Sequence, residues 1–254
     1  MIKSNRLARA VAHWTGFESA CDRESLLSEA SLAIPAGQCL KAMPRLEVVP
    51  HGVGSDFEVV PEYPYTTLDG DADFVVRLKE QPNPLLDVIE MKIVRSSGRN
   101  FSREIFGDIL RLESVPTTSL PSPLGRWLLI AGTWEDLQRK ALEAEGNEGA
   151  GGGRVKLFAL VLSQQLWTAN NPVRLTVSIK NSTGAIRRFW GRAQRKQKLA
   201  KIPSELLIDL RAKFPPNPEP SHYTCMIWRI LRSDNREELD LSNEVQPDVI
   251  DETE

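Results

Sequence analysis

Long apolar runs are missing from this 254-residue chain. No stretch of about 18 apolar residues occurs, so a membrane-spanning helix is not expected. The start, Met1-Ile2-Lys3-Ser4-Asn5-Arg6, leads into no signal-type apolar segment. Cysteine is scarce: Cys21, Cys39 and Cys225 are scattered, odd in number and without metal-ligand spacing. This predicts reduced thiols and a cytoplasmic setting. The histidines are as thinly spread. His13, His51 and His222 form no catalytic constellation and are read as structural or surface residues. No nucleophile motif and no Walker-type phosphate loop is present, since Gly151 to Gly153 lack the lysine and the spacing. Internal repeats are absent.

What remains is ample for a packed core, with 41% hydrophobic and 26% charged residues. The length fits one domain or two small ones. The net charge of −2 conceals an asymmetry. Residues 234–254 hold nine acids against one base, −8, which leaves 31 bases against 25 acids, +6, for residues 1–233. A mildly basic body of residues 1–233 with an acidic, disordered tail at 234–254 suits an anionic partner.

Taken in order, residues 4–18 have helical periodicity through Leu7, Ala10, Val11 and Trp14. A second helix is expected from Asp22 as N-cap, with Glu24 in its first turn, Glu29 on its body and Pro35 interrupting it. Residues 46–49 and 57–60 read as short strands. Asp73 to Leu78 and Leu85 to Val94 read as two strands joined by a short Pro-rich turn, hence an antiparallel hairpin. A helix from Ser102 to Glu113, a buried strand at 126–132 and a helix capped by Thr133 follow. Gly146 to Gly153 is a break. Further strands are expected at 154–162, 174–179 and 223–231, with a helix at 204–214. The order makes a mixed α/β layer arrangement.

Within the hairpin, Glu90-Met91-Lys92 sits in an apolar strand. Alternation puts Glu90 and Lys92 on one face with Val88 and Val94, and Ile89, Met91 and Ile93 on the other. Asp73 opens the preceding strand. Two carboxylates and an ammonium in one cleft suit Mg²⁺-assisted phosphodiester hydrolysis. Mg²⁺ takes hard oxygen ligands and keeps waters. A lysine beside it can orient the attacking water, assist its deprotonation or neutralise the phosphate. An isolated Glu-x-Lys on a strand is otherwise a solvated pair.

Asp73-Phe74-Val75-Val76, followed by Leu85-Leu86-Asp87-Val88-Ile89-Glu90-Met91-Lys92, resembles the PD-(D/E)XK nuclease superfamily. The resemblance covers residues 22–163, with residues 164–233 as a basic C-terminal extension. It implies a restriction-endonuclease-like core, a mixed central β-sheet flanked by α-helices. It also implies a Mg²⁺- or Mn²⁺-dependent nuclease acting on DNA rather than RNA, with Asp73 and Glu90 as metal ligands and Lys92 as the catalytic lysine. An acid on the first core helix often joins such sites, and Glu29 matches best, ahead of Glu24, with Glu62 as an extra acid. Ala72 stands where the family usually has proline. Asp71 could replace Asp73 with the same parity, whereas Asp87 would face away. The superfamily includes members without activity, so a silent module binding nucleic acid or a protein is the alternative. Many members act as homodimers.

Two basic groups complete the reading. Arg99, Arg103 and Arg111 follow the motif and either contact phosphate or support the active-site lysine, or Arg111 forms a surface ion pair with Asp108 at i,i+3. The block 187–201 has no acid. Its Arg187, Arg188, Arg192, Arg195, Lys196 and Lys198 are candidate phosphate contacts, with Phe189 and Trp190 as stacking planes. The same block could bind the acidic tail in cis.

Overall fold

The computed structural model describes residues 3–42, 57–64, 70–79, 84–95, 101–116, 124–142, 173–182, 184–232 and 236–243. Its frame is a seven-stranded mixed sheet of β1 (Phe57–Pro64), β2 (Asp71–Leu78), β3 (Leu85–Ile93), β4 (Gly125–Thr133), β5 (Val173–Ser178), β7 (Glu205–Phe214) and β8 (Tyr223–Leu231). The spatial order is β1-β2-β3-β4-β8-β7-β5. β1, β2 and β3 form an antiparallel meander. α3 (Phe101–Ser114) then carries the chain over to β4, which runs parallel to β3. β8 and β7 extend the sheet antiparallel beyond β4, and β5 closes that edge. β5, β7 and β8, which lie in the C-terminal extension expected from the sequence, continue the same sheet.

Alternation along each strand sends two sets of side chains to two faces. One face carries Val75, Val88, Leu128, Met226, Trp228, Leu206 and Ile208 against Ile105, Phe106 and Ile109 of α3. The other carries Phe74, Ile89, Met91, Leu129 and Ile227 against α1 (Ser4–Ala20) and α2 (Glu29–Ala42). β4 is buried on both faces, as a central strand must be. α4 (Trp134–Leu142) starts where Asp136 N–H donates to Thr133 Oγ1 at 3.1 Å, the cap expected from the sequence.

Several sequence expectations are corrected. The second helix does not start at Asp22. Residues 24–26 form one 3₁₀ turn, Leu27 is extended, and α2 begins at Glu29. Ser28 caps it reciprocally: Ser31 N–H donates to Ser28 Oγ at 3.1 Å and Ser28 N–H to Ser31 Oγ at 2.7 Å. Pro35 does not end the helix but lies buried inside it. Gly37 then faces the Phe74 ring, where a side chain would be crowded at 3.3 Å. Residues 204–214 are not helical. They form β7, in which Leu206, Ile208 and Leu210 bury one face between β8 and β5. The candidate strands at 46–49 and 154–162 and the glycine-rich break lie outside the described residues.

α5 (Gly184–Lys196) corrects the basic block. Phe189 and Trp190 are 2% and 0% exposed and pack edge-on against Phe106, with ring centroids at 5.6 and 5.2 Å. They are core residues and offer no stacking plane. Part of the expected disordered tail is also ordered. β9 (Glu238–Leu239) pairs with β6 (Ile202–Pro203), Leu241 is buried, and its N–H donates to Gln194 Oε1 at 2.8 Å. Arg195 donates to Ser242 O at 2.6 Å, and Lys180 pairs with Glu237 at 3.3 Å. Residues 236–243 thus do meet the basic region in cis, and residues 244–254 lie outside the described set. Among the described residues no helix is long and apolar enough to cross a membrane.

Two glycines give a test of the packing. Gly125 leaves room for the buried hydrogen bond of 2.8 Å from Trp127 Nε1 to Asp87 Oδ1, and a methyl group there would fall on both partners. Gly16, on α1, has nothing within 4 Å of its missing Cβ. Urea melts should show Gly125→Ala losing about 2 kcal/mol or more, and Gly16→Ala gaining roughly 0.5–1 kcal/mol. Equal effects of the two would contradict the packing described.

Candidate active site

The site begins where two strands part. The β2–β3 ladder runs only as far as Phe74↔Ile89. β2 stays paired to β1 out to Asp71, and β3 stays paired to β4 out to Ile93. Between them a wedge opens. In it Met91 N–H donates to Asp73 Oδ2 at 2.6 Å, so a side-chain carboxylate takes the place of the next ladder carbonyl. Parity puts Asp73, Glu90 and Lys92 on the face shared with Val75, Val88 and Val94. The faces expected from the sequence are those observed, with Ile89 and Met91 buried on the far side.

α3 lies over this wedge. Its C-terminal carbonyls are met by arginines from two other segments: Arg126 donates to Val115 O at 2.7 Å, and Arg232 to Ser114 O at 3.1 Å and Val115 O at 3.0 Å. Cationic donors suit that end of the helix dipole. With α3 fixed, Asp108 and Arg111 project at the edge of its apolar stripe into the wedge. Arg111 pairs with Asp108 through Nη2 and Oδ1, and the same nitrogen lies 3.6 Å from Glu90 Oε1. Asp108 Oδ2 lies 3.4 Å from Lys92 Nζ. Lys92 Nζ donates to Glu29 Oε2 at 3.1 Å. Glu29 stands in the first turn of α2 and reaches in from the opposite layer. The result is a chain of alternating charge: Glu29, Lys92, Asp108, Arg111, Glu90. Glu90 is 2% exposed and Asp108 3%.

The titration behaviour follows from this packing. Burial raises the Asp73 carboxyl above its ordinary value; the Met91 N–H and the Lys92 ammonium pull the other way, while Glu29 and Asp108 add to the rise. For Lys92 burial favours the neutral amine, but Asp108, Glu29 and Asp73 together outweigh it and hold the ammonium above the usual lysine range. In this arrangement Lys92 donates a hydrogen bond to Glu29. Glu104, one turn before Asp108, is raised by burial and by Glu29 and Asp108, and opposed by Lys92 and Lys196. Sequence reasoning missed Glu104. Its signal was the spacing Glu104, Asp108, Arg111, which keeps all three on one side of α3.

The other candidates fall as follows. Asp71 is exposed at the start of β2, so Asp73 takes the inner position. Asp87 is buried and holds the Trp127 indole. Glu24 accepts a hydrogen bond from the Ser19 hydroxyl, and Glu62 is exposed on β1. Arg99 and the Arg103 side chain lie outside the described residues. Arg187, Arg188 and Arg192 are partly buried on α5, whereas Arg195, Lys196 and Lys198 are exposed. Of these, Lys196 stands near enough to Glu104 to act on its charge. His13 packs tilted on Phe214 at 5.1 Å, and His222 Nδ1 accepts from Glu219 N–H at 3.1 Å, both structural roles. His51 lies outside the described residues.

Among the described residues no group of three or more His, Cys, Asp and Glu is arranged to hold a metal ion. The expected pair, Asp73 and Glu90, stands as two hard oxygen donors in a cluster where four carboxylates (Glu29, Asp73, Glu90, Asp108) meet two cations (Lys92, Arg111). That excess of negative charge at a half-buried place fits a divalent cation. Comparison with family models, curated proteins and solved structures finds no match for the chain.

The direction of the Asp73 shift makes a stability prediction. Its folded value lies above its unfolded one, so its contribution to stability is full below the unfolded pKa and is lost as pH rises through the folded one. Asp73→Asn keeps a carbonyl acceptor for Met91 N–H and removes the charge. In metal-free buffer at pH 7 to 8 its Tm should exceed wild type by about 2 °C or more, with the gap narrowing towards pH 4. A lower Tm across that range would contradict the balance described.

Proposed function

We propose that this chain is a PD-(D/E)XK-type nuclease that hydrolyses phosphodiester bonds, in DNA by the resemblance of its motif. The observation that carries the reading is the wedge between β2 and β3, in which the Asp73 carboxylate sits on Met91 N–H with Glu90 and Lys92 on the same face. The element order from α2 through β4, a meander followed by a helical crossover to a parallel strand, supports it.

Asp73 and Glu90 would hold Mg²⁺ or Mn²⁺. Bound there, such an ion supplies charge neutralisation at the phosphate and a water of lowered pKa. Asp73 is held through one carboxylate oxygen by its hydrogen bond from Met91 N–H, which fixes the orientation of the carboxylate. Lys92, held as an ammonium, donates to a phosphate oxygen or to the attacking water and stabilises the charge that grows on phosphorus-bound oxygen. Glu29 and Asp108 hold the ammonium in place from two sides. Lys196, exposed and close to Glu104, offers a positive charge beside α3. Phosphate contacts there carry no sequence information.

The competing reading is a silent module of the same fold. It is favoured by one observation: Glu90 and Lys92 are both engaged by α3 in this structure.

Cleavage of plasmid and linear DNA in Mg²⁺ or Mn²⁺ separates the two. Lys92→Met and Glu90→Gln should each lower the rate by about 10²-fold or more. Equal rates in wild type and both variants would remove this site from the chemistry, and no cleavage by wild type with no bound metal would favour the silent module.

A further inference from the structure

The nuclease reading leaves Arg111 without a part, yet the site is built around it. Its Nη2 bridges Asp108 and Glu90. Its Nη1 lies against the Gly70 turn that leads into β2, where a Cβ on Gly70 would come within 3.3 Å of it. The guanidinium is therefore wedged among three elements: α3, β3 and the turn three residues before Asp73. Its side chain is 17% exposed, against 3% for Glu90 and 4% for Asp108. The cation is thus the outermost member of the trio.

Charge dictates what happens when a divalent cation approaches. A buried carboxylate such as Glu90 needs a counter-charge to stay ionised. Arg111 supplies one at 3.6 Å, a distance at which the ion pair is loose rather than hydrogen-bonded. Asp108, by contrast, is in direct contact with it. Arg111 is therefore anchored to Asp108 and leans on Glu90. A dication on the Glu90 oxygens and a guanidinium on the same oxygens repel each other, and the looser contact is the one to break.

We infer that Arg111 is a stand-in cation: it neutralises Glu90 until a divalent ion claims that carboxylate, and it then swings on its Asp108 anchor to take a phosphate oxygen of the bound polyanion. Arginine suits the second task because its planar fork carries five donors and keeps its charge at any working pH. Asp108 has the matching role for both cations, since its other oxygen faces Lys92. The proposal rests on the nuclease reading for the identity of the cation site. It adds a residue that competes for that site and a conformational exchange within it.

The test uses Mn²⁺ alone, titrated calorimetrically into the full chain without DNA. Arg111→Gln should bind Mn²⁺ at least about ten-fold more tightly than wild type, because a competing unit charge a few ångströms away is gone. Arg111→Lys, which keeps a charge there, should gain much less. Lys180→Gln, which removes an exposed charge paired with Glu237, should change affinity by less than about two-fold. Unchanged or weaker binding by folded Arg111→Gln, or an equal gain in Lys180→Gln, overturns the inference and leaves the nuclease reading standing. Absence of binding in wild type and Arg111→Gln alike overturns both. Should Arg111→Gln fail to fold, the arginine Nε–H resonances of wild-type protein serve instead during a Mg²⁺ titration. The Arg111 signal, assigned by its loss in Arg111→Lys, should shift with the same midpoint as metal binding, and a signal that stays fixed while metal binds overturns the proposal.

Discussion

The arrangement of the site follows from one constraint: Glu90 is a carboxylate buried in the middle of a sheet. Such a group costs several kcal/mol unless it is paired. The pairing comes from Arg111 on α3, and Arg111 is in turn paired by Asp108, which also faces Lys92. Holding that chain of charge in place requires α3 to sit over β3 without slack. The arginines at its C-terminus and the edge-on contacts of Phe106 with Phe189 and Trp190 provide this. An acidic centre of this kind is poor economy for a protein that needs only to fold. Apolar residues of similar volume would serve stability as well or better.

The parting of β2 from β3 is the second consequence. A continuous ladder would satisfy Met91 N–H with a backbone carbonyl and leave no room for a ligand. Substituting the Asp73 carboxylate keeps the donor satisfied and puts charge where the strands separate. The cost is a raised Asp73 pKa, which is the mark of a site kept less stable than it could be.

The Asp73 and Glu-x-Lys pattern was legible because strand parity is strict: once Ile89 and Met91 are core, Glu90 and Lys92 have only one face left. Glu29 was legible as a helix acid, although its helix starts six residues later than an Asp22 cap implies, since Ser28 makes the cap. β7 was not legible. Leu206, Leu207 and Leu210 fit a helical stripe while Leu206, Ile208 and Leu210 fit an alternating one, and the place of the segment between β8 and β5 decides. Asp108 and Arg111 read as an ordinary i,i+3 surface pair, because local spacing cannot show that α3 packs them over a buried glutamate. Phe189 and Trp190 sit among arginines in the sequence. Their neighbours Ile186 and Ala193 complete an apolar stripe, and that stripe sends them to the core.

The most direct measurement of the central claim is an anomalous difference map from crystals grown with Mn²⁺. The account predicts a single strong peak in the wedge at about 2.1 Å from oxygens of both Asp73 and Glu90, with Lys92 still beside it. A map with manganese bound elsewhere, or none in the wedge at saturating Mn²⁺ while Arg111 remains on Glu90, would contradict it.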